Sequence, residues 1–231
     1  MTELRHRRRI PNSLANVRLE SRAGKDLPAI TGYAAVYYRA DDPGTEYHIF
    51  DDLVERIMPG AFDATVAQQD DIRSFFNHNP NAMLGRRSSG TASFSADDVG
   101  LLMRIEPPNT QPARDVIQLL ERGDVDGASF MFLVGSSAKR SKVVWSEEKD
   151  EETGRLVDVR ELHAFEVFEA GPVVFPAYEA TTSGVDSRDA SQLDLARQEW
   201  RAARQRGKIT GPTAEQLEAR LAQVFADTQQ A

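Results

Sequence analysis

Ser129 stands in a setting that asks for a chemical reading. Gly127 and Ala128 precede it and leave room around its backbone, and Phe130, Met131, Phe132 and Leu133 follow as an apolar run. Thr, Ile or Val would be more ordinary in such a strand. A serine there is either a satisfied core hydroxyl or a nucleophile held on a rigid element. His78 is the second such residue. It follows a β-prone run, residues 72–76, and comes two residues before Pro80, which stops regular pairing. It reads as a histidine at a strand end, either bonded locally within its loop or placed there for catalysis. The third type is an acid. Glu166 and Glu169 interrupt an apolar stretch, residues 161–170. A carboxylate wedged there is costly unless it is paired or faces solvent. Serine hydrolysis needs a hydroxyl, a base for its proton and a group that fixes the base's tautomer. All three types are present, in the order His, Ser, acid.

Composition narrows the alternatives. The 231 residues are 40% hydrophobic and 28% charged, enough for a folded core of one sizeable domain with appendages. There is no cysteine, which removes disulfides, thiol nucleophiles and thiolate metal sites together. His6, His48, His78 and His163 are the only imidazoles. No apolar run approaches a membrane span, and no segment resembles a secretion signal. The net charge of -8 is uneven: residues 1–28 carry +4, residues 188–231 carry +1 and the middle carries -13. An acidic core argues against nucleic acid as a ligand.

These residues must be positioned by the elements around them. Residues 1–28 lack sustained periodicity and read as a flexible basic arm, with a first strand near residues 16–20. Residues 30–38 are β-rich with small side chains, and a short strand falls within residues 49–57. Pro59 and Gly60 turn the chain into a short helix through about Gln68. Residues 91–96 and 101–105 flank a Gly-containing turn and predict a hairpin. Thr110 and Pro112 open a short amphipathic helix over Val116, Leu119 and Leu120, closed by Gly123. Residues 142–145 and 155–159 flank an acidic connection that lacks a regular ligand spacing, so no metal is placed there. After about Asp186 the chain turns polar. Residues 191–206 predict a helix with Leu195 and Trp200 as sparse apolar points. Thr213 to Gln216 form a capping-box pattern before a Leu217, Leu221, Val224, Phe225 stripe. That tail reads as helical and separable, able to pack on the core, on a second copy or on a partner. The sum is an α+β or mainly β domain, sandwich or barrel, with a few short helices and a helical C-terminal tail.

An ordered set of short blocks adds to this. Ile57-Met58-Pro59-Gly60-Ala61-Phe62, Phe76-Asn77-His78-Asn79, Leu84-Gly85-Arg86, Gly100-Leu101, residues 123–132, and Phe168-Glu169-Ala170-Gly171-Pro172-Val173-Val174-Phe175-Pro176-Ala177 occur in series. Together they resemble the prohead (procapsid maturation) proteases of tailed bacteriophages over roughly residues 29–182. The resemblance covers neither the arm nor the tail; with the composition shifts it divides the chain into the arm at 1–28, a protease domain at 29–187 and the tail at 188–231. It implies a mainly antiparallel, β-barrel-like core surrounded by helices, as in the herpesvirus assembly proteases. It further implies a serine endopeptidase that acts in the host cytoplasm, inside the assembling procapsid. Its partners would be the major capsid protein with its scaffolding segment, or a separate scaffold protein, with self-cleavage and self-association as further expectations. No cofactor and no metal is implied.

By position in the blocks, Ser129 is the nucleophile, His78 its general base and Glu169 the acid. His163 is the rival third member, because the herpesvirus enzymes use a Ser-His-His arrangement, and Glu166 comes after it. The run Ala170-Gly171-Pro172 departs from the Val-Ser-Leu/Val usual after the acid. A non-enzymatic capsid assembly or scaffolding module of the same fold is the alternative function. A Gly-x-Ser-x-Gly elbow is absent, since Met131 stands at the second Gly, which disfavours an α/β-hydrolase.

Overall fold

The computed structural model describes residues 6–10, 12–135, 138–150, 154–174 and 187–206. Their strands form one five-stranded and two four-stranded sheets. In chain order the strands are β1 (His6–Ile10), β2 (Arg18–Glu20), β3 (Ala29–Val36), β4 (Glu46–Phe50), β5 (Leu53–Ile57), β6 (Arg73–Phe75), β7 (Met83–Arg86), β8 (Ala92–Ala96), β9 (Gly100–Ile105), β10 (Gly127–Leu133), β11 (Lys142–Lys149), β12 (Leu156–Ala164) and β13 (Glu166–Val173). The α-helices are α1 (Asn12–Ala15), α2 (Asp63–Ala67), α3 (Gln111–Arg122) and α4 (Ser187–Gln205). The α+β class expected from sequence is the class observed.

The closed barrel is not. The sheets run β1-β10-β13-β6-β7, β11-β12-β5-β4 and β2-β3-β9-β8, each ending in two edge strands among the described residues. Most pairs are antiparallel, but β12 runs parallel to β5 and β13 parallel to β6. Both parallel contacts join strands far apart in sequence, so turn chemistry, which reports only on neighbours, could not reveal them. The predicted strand within 49–57 is instead a hairpin of β4 and β5 around Asp51 and Asp52. Within the expected arm, His6–Ile10 pairs antiparallel with β10.

Local chemistry explains the elements that were anticipated. β8 and β9 pair as the predicted hairpin. In α3, Ala113, Val116 and Ile117 are buried on one face. Gly123 closes the helix at φ 77°, a left-handed cap that a side chain would strain, and its neighbourhood returns N–H groups to Leu119 and Leu120. Thr110 precedes this helix in extended geometry without a side-chain cap bond.

The core is centred on aromatic rings. Phe62, from the Pro59-Gly60 turn, meets Phe165 edge-on at 5.2 Å between centroids. Phe165 lies 4.9 Å from Phe132, and Phe132 stacks on Phe130 at 5.3 Å. All four are fully buried. Burial of such rings dominates core energetics, and tilted or edge-on pairs add to it. Helix α4 docks through Trp200, whose ring stacks on Trp145 at 5.8 Å, and through buried Leu193. Its Arg197 is buried and paired with Asp158 and Asp52. Leu195, the other apolar point of that helix, is exposed. The Leu217 to Phe225 stripe lies outside the described residues. No described helix is long and apolar enough to cross a membrane.

Candidate active site

Strand alternation decides where Ser129 points. On β10, Phe130 and Phe132 face the aromatic core, so Ser129 and Met131 face the other side of the sheet. The neighbouring strand β13 runs antiparallel with Ser129 opposite Gly171 and Met131 opposite Glu169. Glu169 therefore lies on the Ser129 face, two residue pairs further along the ladder. The register shifts immediately beyond, between Met131 and Phe132.

His78 reaches that face by a separate route. β6 runs beside β13 with Arg73 opposite Glu169. The chain then leaves the sheet in a tight turn, where Asn77 has φ 51° and His78 has φ 59°. Two successive non-glycine residues in the left-handed region carry strain of about 1–3 kcal/mol each, so the surroundings must hold them. They do so by hydrogen bonds to the end of β13. Asn77 N donates to Pro172 O at 3.1 Å, and Val174 N donates to Asn77 Oδ1 at 2.9 Å. Asn79 N donates to Phe76 O at 3.0 Å, and Asn79 Oδ1 accepts from Asn81 N at 3.0 Å.

The result is one hydrogen-bonded chain of three side chains. His78 Nδ1 lies 2.7 Å from Glu169 Oε1, and His78 Nε2 lies 2.8 Å from Ser129 Oγ. A carboxylate only accepts, so Nδ1 carries the ring proton and donates it to Glu169. Nε2 is then left with its lone pair toward the Ser129 hydroxyl. Ser129 is wholly buried, and the His78 and Glu169 side chains are only 10% and 6% exposed. Low solvent access keeps these bonds strong.

The rival third members are engaged elsewhere. His163 Nε2 is 2.9 Å from Glu161 Oε2 on its own strand. Glu166 accepts from Lys139 N at 3.0 Å and pairs with Lys139 Nζ at 3.2 Å. The structure thus brings together Ser129, His78 and Glu169, and no hydrogen bond to this trio comes from His163 or Glu166.

Two supporting residues escaped the sequence reading. Asn77 appeared there only as a neighbour of His78. Its tolerance of left-handed backbone was the available signal. Gly171 stood in the run that departs from the expected pattern. A Cβ on it would lie 2.3 Å from Phe75 O, so only glycine lets β6 approach β13 this closely. The unusual Ala170-Gly171-Pro172 run keeps an unbroken register against Phe130, Ser129 and Ala128.

A buried hydroxyl, imidazole and carboxylate in series, mounted on adjoining strands, have the geometry of a serine hydrolase site. Over residues 15–195 the chain matches the caudovirus prohead serine protease family, and it belongs to that family. No curated protein and no solved structure matched it. The family places the chain among the serine proteases of phage capsid maturation.

Proposed function

We propose that this chain is an endopeptidase that cleaves scaffold protein, or the scaffolding segment of the capsid protein, inside the procapsid, with its own chain as a further substrate. The observation that carries the residue roles is the continuous path from Glu169 Oε1 through His78 to Ser129 Oγ. Ser129 Oγ attacks the scissile carbonyl while His78 Nε2 takes its proton. Glu169 holds the Nδ1–H tautomer and stabilises the imidazolium as it forms. His78 then returns the proton to the leaving amine, which departs with the C-terminal part of the substrate. A water, deprotonated by the same imidazole, releases the acyl group from Ser129.

The alternative, an assembly module without catalysis, draws on the divergent Ala170-Gly171-Pro172 run, the helical tail and the acidic core. The regular register of that run and the need for glycine at 171 weaken the first of these supports. Co-expression with the capsid and scaffold proteins tests the proposal. Wild type should shorten one of those chains by intact mass, and Ser129→Ala should leave them at full length. Full-length chains with wild type, still bound to the assembly, would favour the structural role.

A further inference from the structure

Strand β10 has two neighbours, and only one belongs to the catalytic arrangement. On one side β13 brings Glu169. On the other lies β1, the last strand of the sheet among the described residues. β1 runs antiparallel to β10, with Arg9 opposite Ser129 and the flanking pairs Arg8 with Phe130 and Ile10 with Ala128. β1 also lies outside residues 15–195, the span that matches the family. The matched domain therefore supplies β10 with a partner on its inner side only, and its outer edge is met by an accessory segment of the same chain.

We infer that the outer edge of β10 is the binding site for an extended substrate polypeptide, and that His6–Ile10 is its resident occupant in this chain. This rests on the protease reading of Ser129. An endopeptidase must hold a stretch of unfolded backbone in register with its nucleophile. An open strand edge does so through main-chain N–H and C=O groups, with little dependence on sequence. A strand added there lies about 4.8 Å from β10, which brings its backbone alongside the Ser129 residue. The site is occupied in cis by a segment with that direction and register. Substrate and β1 then compete for one edge, and β1 must leave before a peptide is cut.

The absence of cysteine makes a reversible lock possible. Ile10→Cys with Ala128→Cys places two thiols at opposed positions of the β1–β10 ladder. The variant is assayed oxidised and reduced, against a mixture of random-sequence decapeptides read by mass spectrometry, and in parallel with a fluorophosphonate that labels an active serine. The reduced form should be labelled and should cut peptides. The oxidised form should cut at least about tenfold more slowly, because the open state is removed from the population. Equal cutting in both forms overturns the inference and leaves the protease reading intact. Labelling without cutting in either form also overturns it. Neither labelling nor cutting in the reduced form, with its fold intact by circular dichroism, overturns both.

A second variant does not depend on the disulfide. Amides of adjacent residues in a strand point to opposite edges, so Arg7→Pro with Arg8→Pro removes one ladder bond whichever residue faces β10. Peptide cutting should start faster than in wild type. An unchanged or slower start would contradict the edge as the shared site.

Discussion

Ser129 and Glu169 lie on the same face of adjacent antiparallel strands, two residue pairs apart along the ladder, because Ser129 faces Gly171 and Glu169 faces Met131. They are 40 residues apart in sequence, yet the separation between their side chains is fixed by strand geometry alone. His78 fills that separation, with one ring nitrogen at hydrogen-bond distance from each. The rigid part of the arrangement is the sheet, and the strained part is the turn that delivers His78.

Glu169→Gln should keep the fold and lose about 10⁴-fold in kcat, because an amide can donate to Nδ1 and so favour the wrong tautomer. His163→Ala, remote from the trio by its bonding to Glu161, should leave the peptide-cleavage rate near wild type. Steady-state kinetics on both variants checks the pair. The reverse ranking would make His163 the third member.

Gly171→Ala should destabilise the protein by about 2 kcal/mol or more, since the added carbon meets a backbone oxygen rather than a movable side chain. The same displacement would shift β6 and with it the His78 turn, so activity should fall further than stability. Thermal unfolding and cleavage rate, measured together, check this. A variant with wild-type stability would mean that β6 moves aside freely.

Much of this arrangement was legible in the residue pattern, and the limits follow from its physics. The β8–β9 hairpin and helix α3 with its Gly123 cap depend on turn chemistry and periodicity within a few residues. Ser129 and His78 stood out because a polar residue in an apolar strand and a histidine at a strand end are local anomalies. The sheets were harder. Parallel pairing of β5 with β12 and of β6 with β13 joins segments about 100 residues apart, and the strand pattern alone leaves sandwich and barrel open. Strand β7 has only four residues around Gly85, and β1 is a run of charged residues that no periodicity marks as a strand. Glu169 could not be separated from Glu166 by alternation alone, because the register shift between Met131 and Phe132 lies between them on the ladder.

The β6–β7 end of the sheet carries a pH-sensitive ion pair. Hydrogen bonds from Arg86 hold the Asp71 carboxyl well below the usual carboxylate range, against a smaller opposing effect of burial. A carboxyl depressed in the folded state stabilises it above the unfolded value of about 3.9, and that contribution fades as pH falls toward the folded value. Asp71→Asn should therefore be less stable than wild type at pH 7, with the gap narrowing below about pH 4. Urea midpoints from neutral to acid pH check this, and a gap that stays constant would contradict it.

Trp200→Ala should detach α4 from the sheet and cost about 3 kcal/mol, because the ring is buried against Trp145. Loss of the near-ultraviolet dichroism of the stacked indoles should accompany the fall in stability. Intact dichroism in that variant would place its source elsewhere.

In the proposed mechanism Ser129 is a nucleophile activated through His78. The most direct measurement is the position of a fluorophosphonate adduct, mapped by tandem mass spectrometry on wild type and on His78→Ala. A single adduct on Ser129 is expected in wild type, and its loss in His78→Ala. An adduct on another serine, or a Ser129 adduct that forms equally fast without His78, would contradict it.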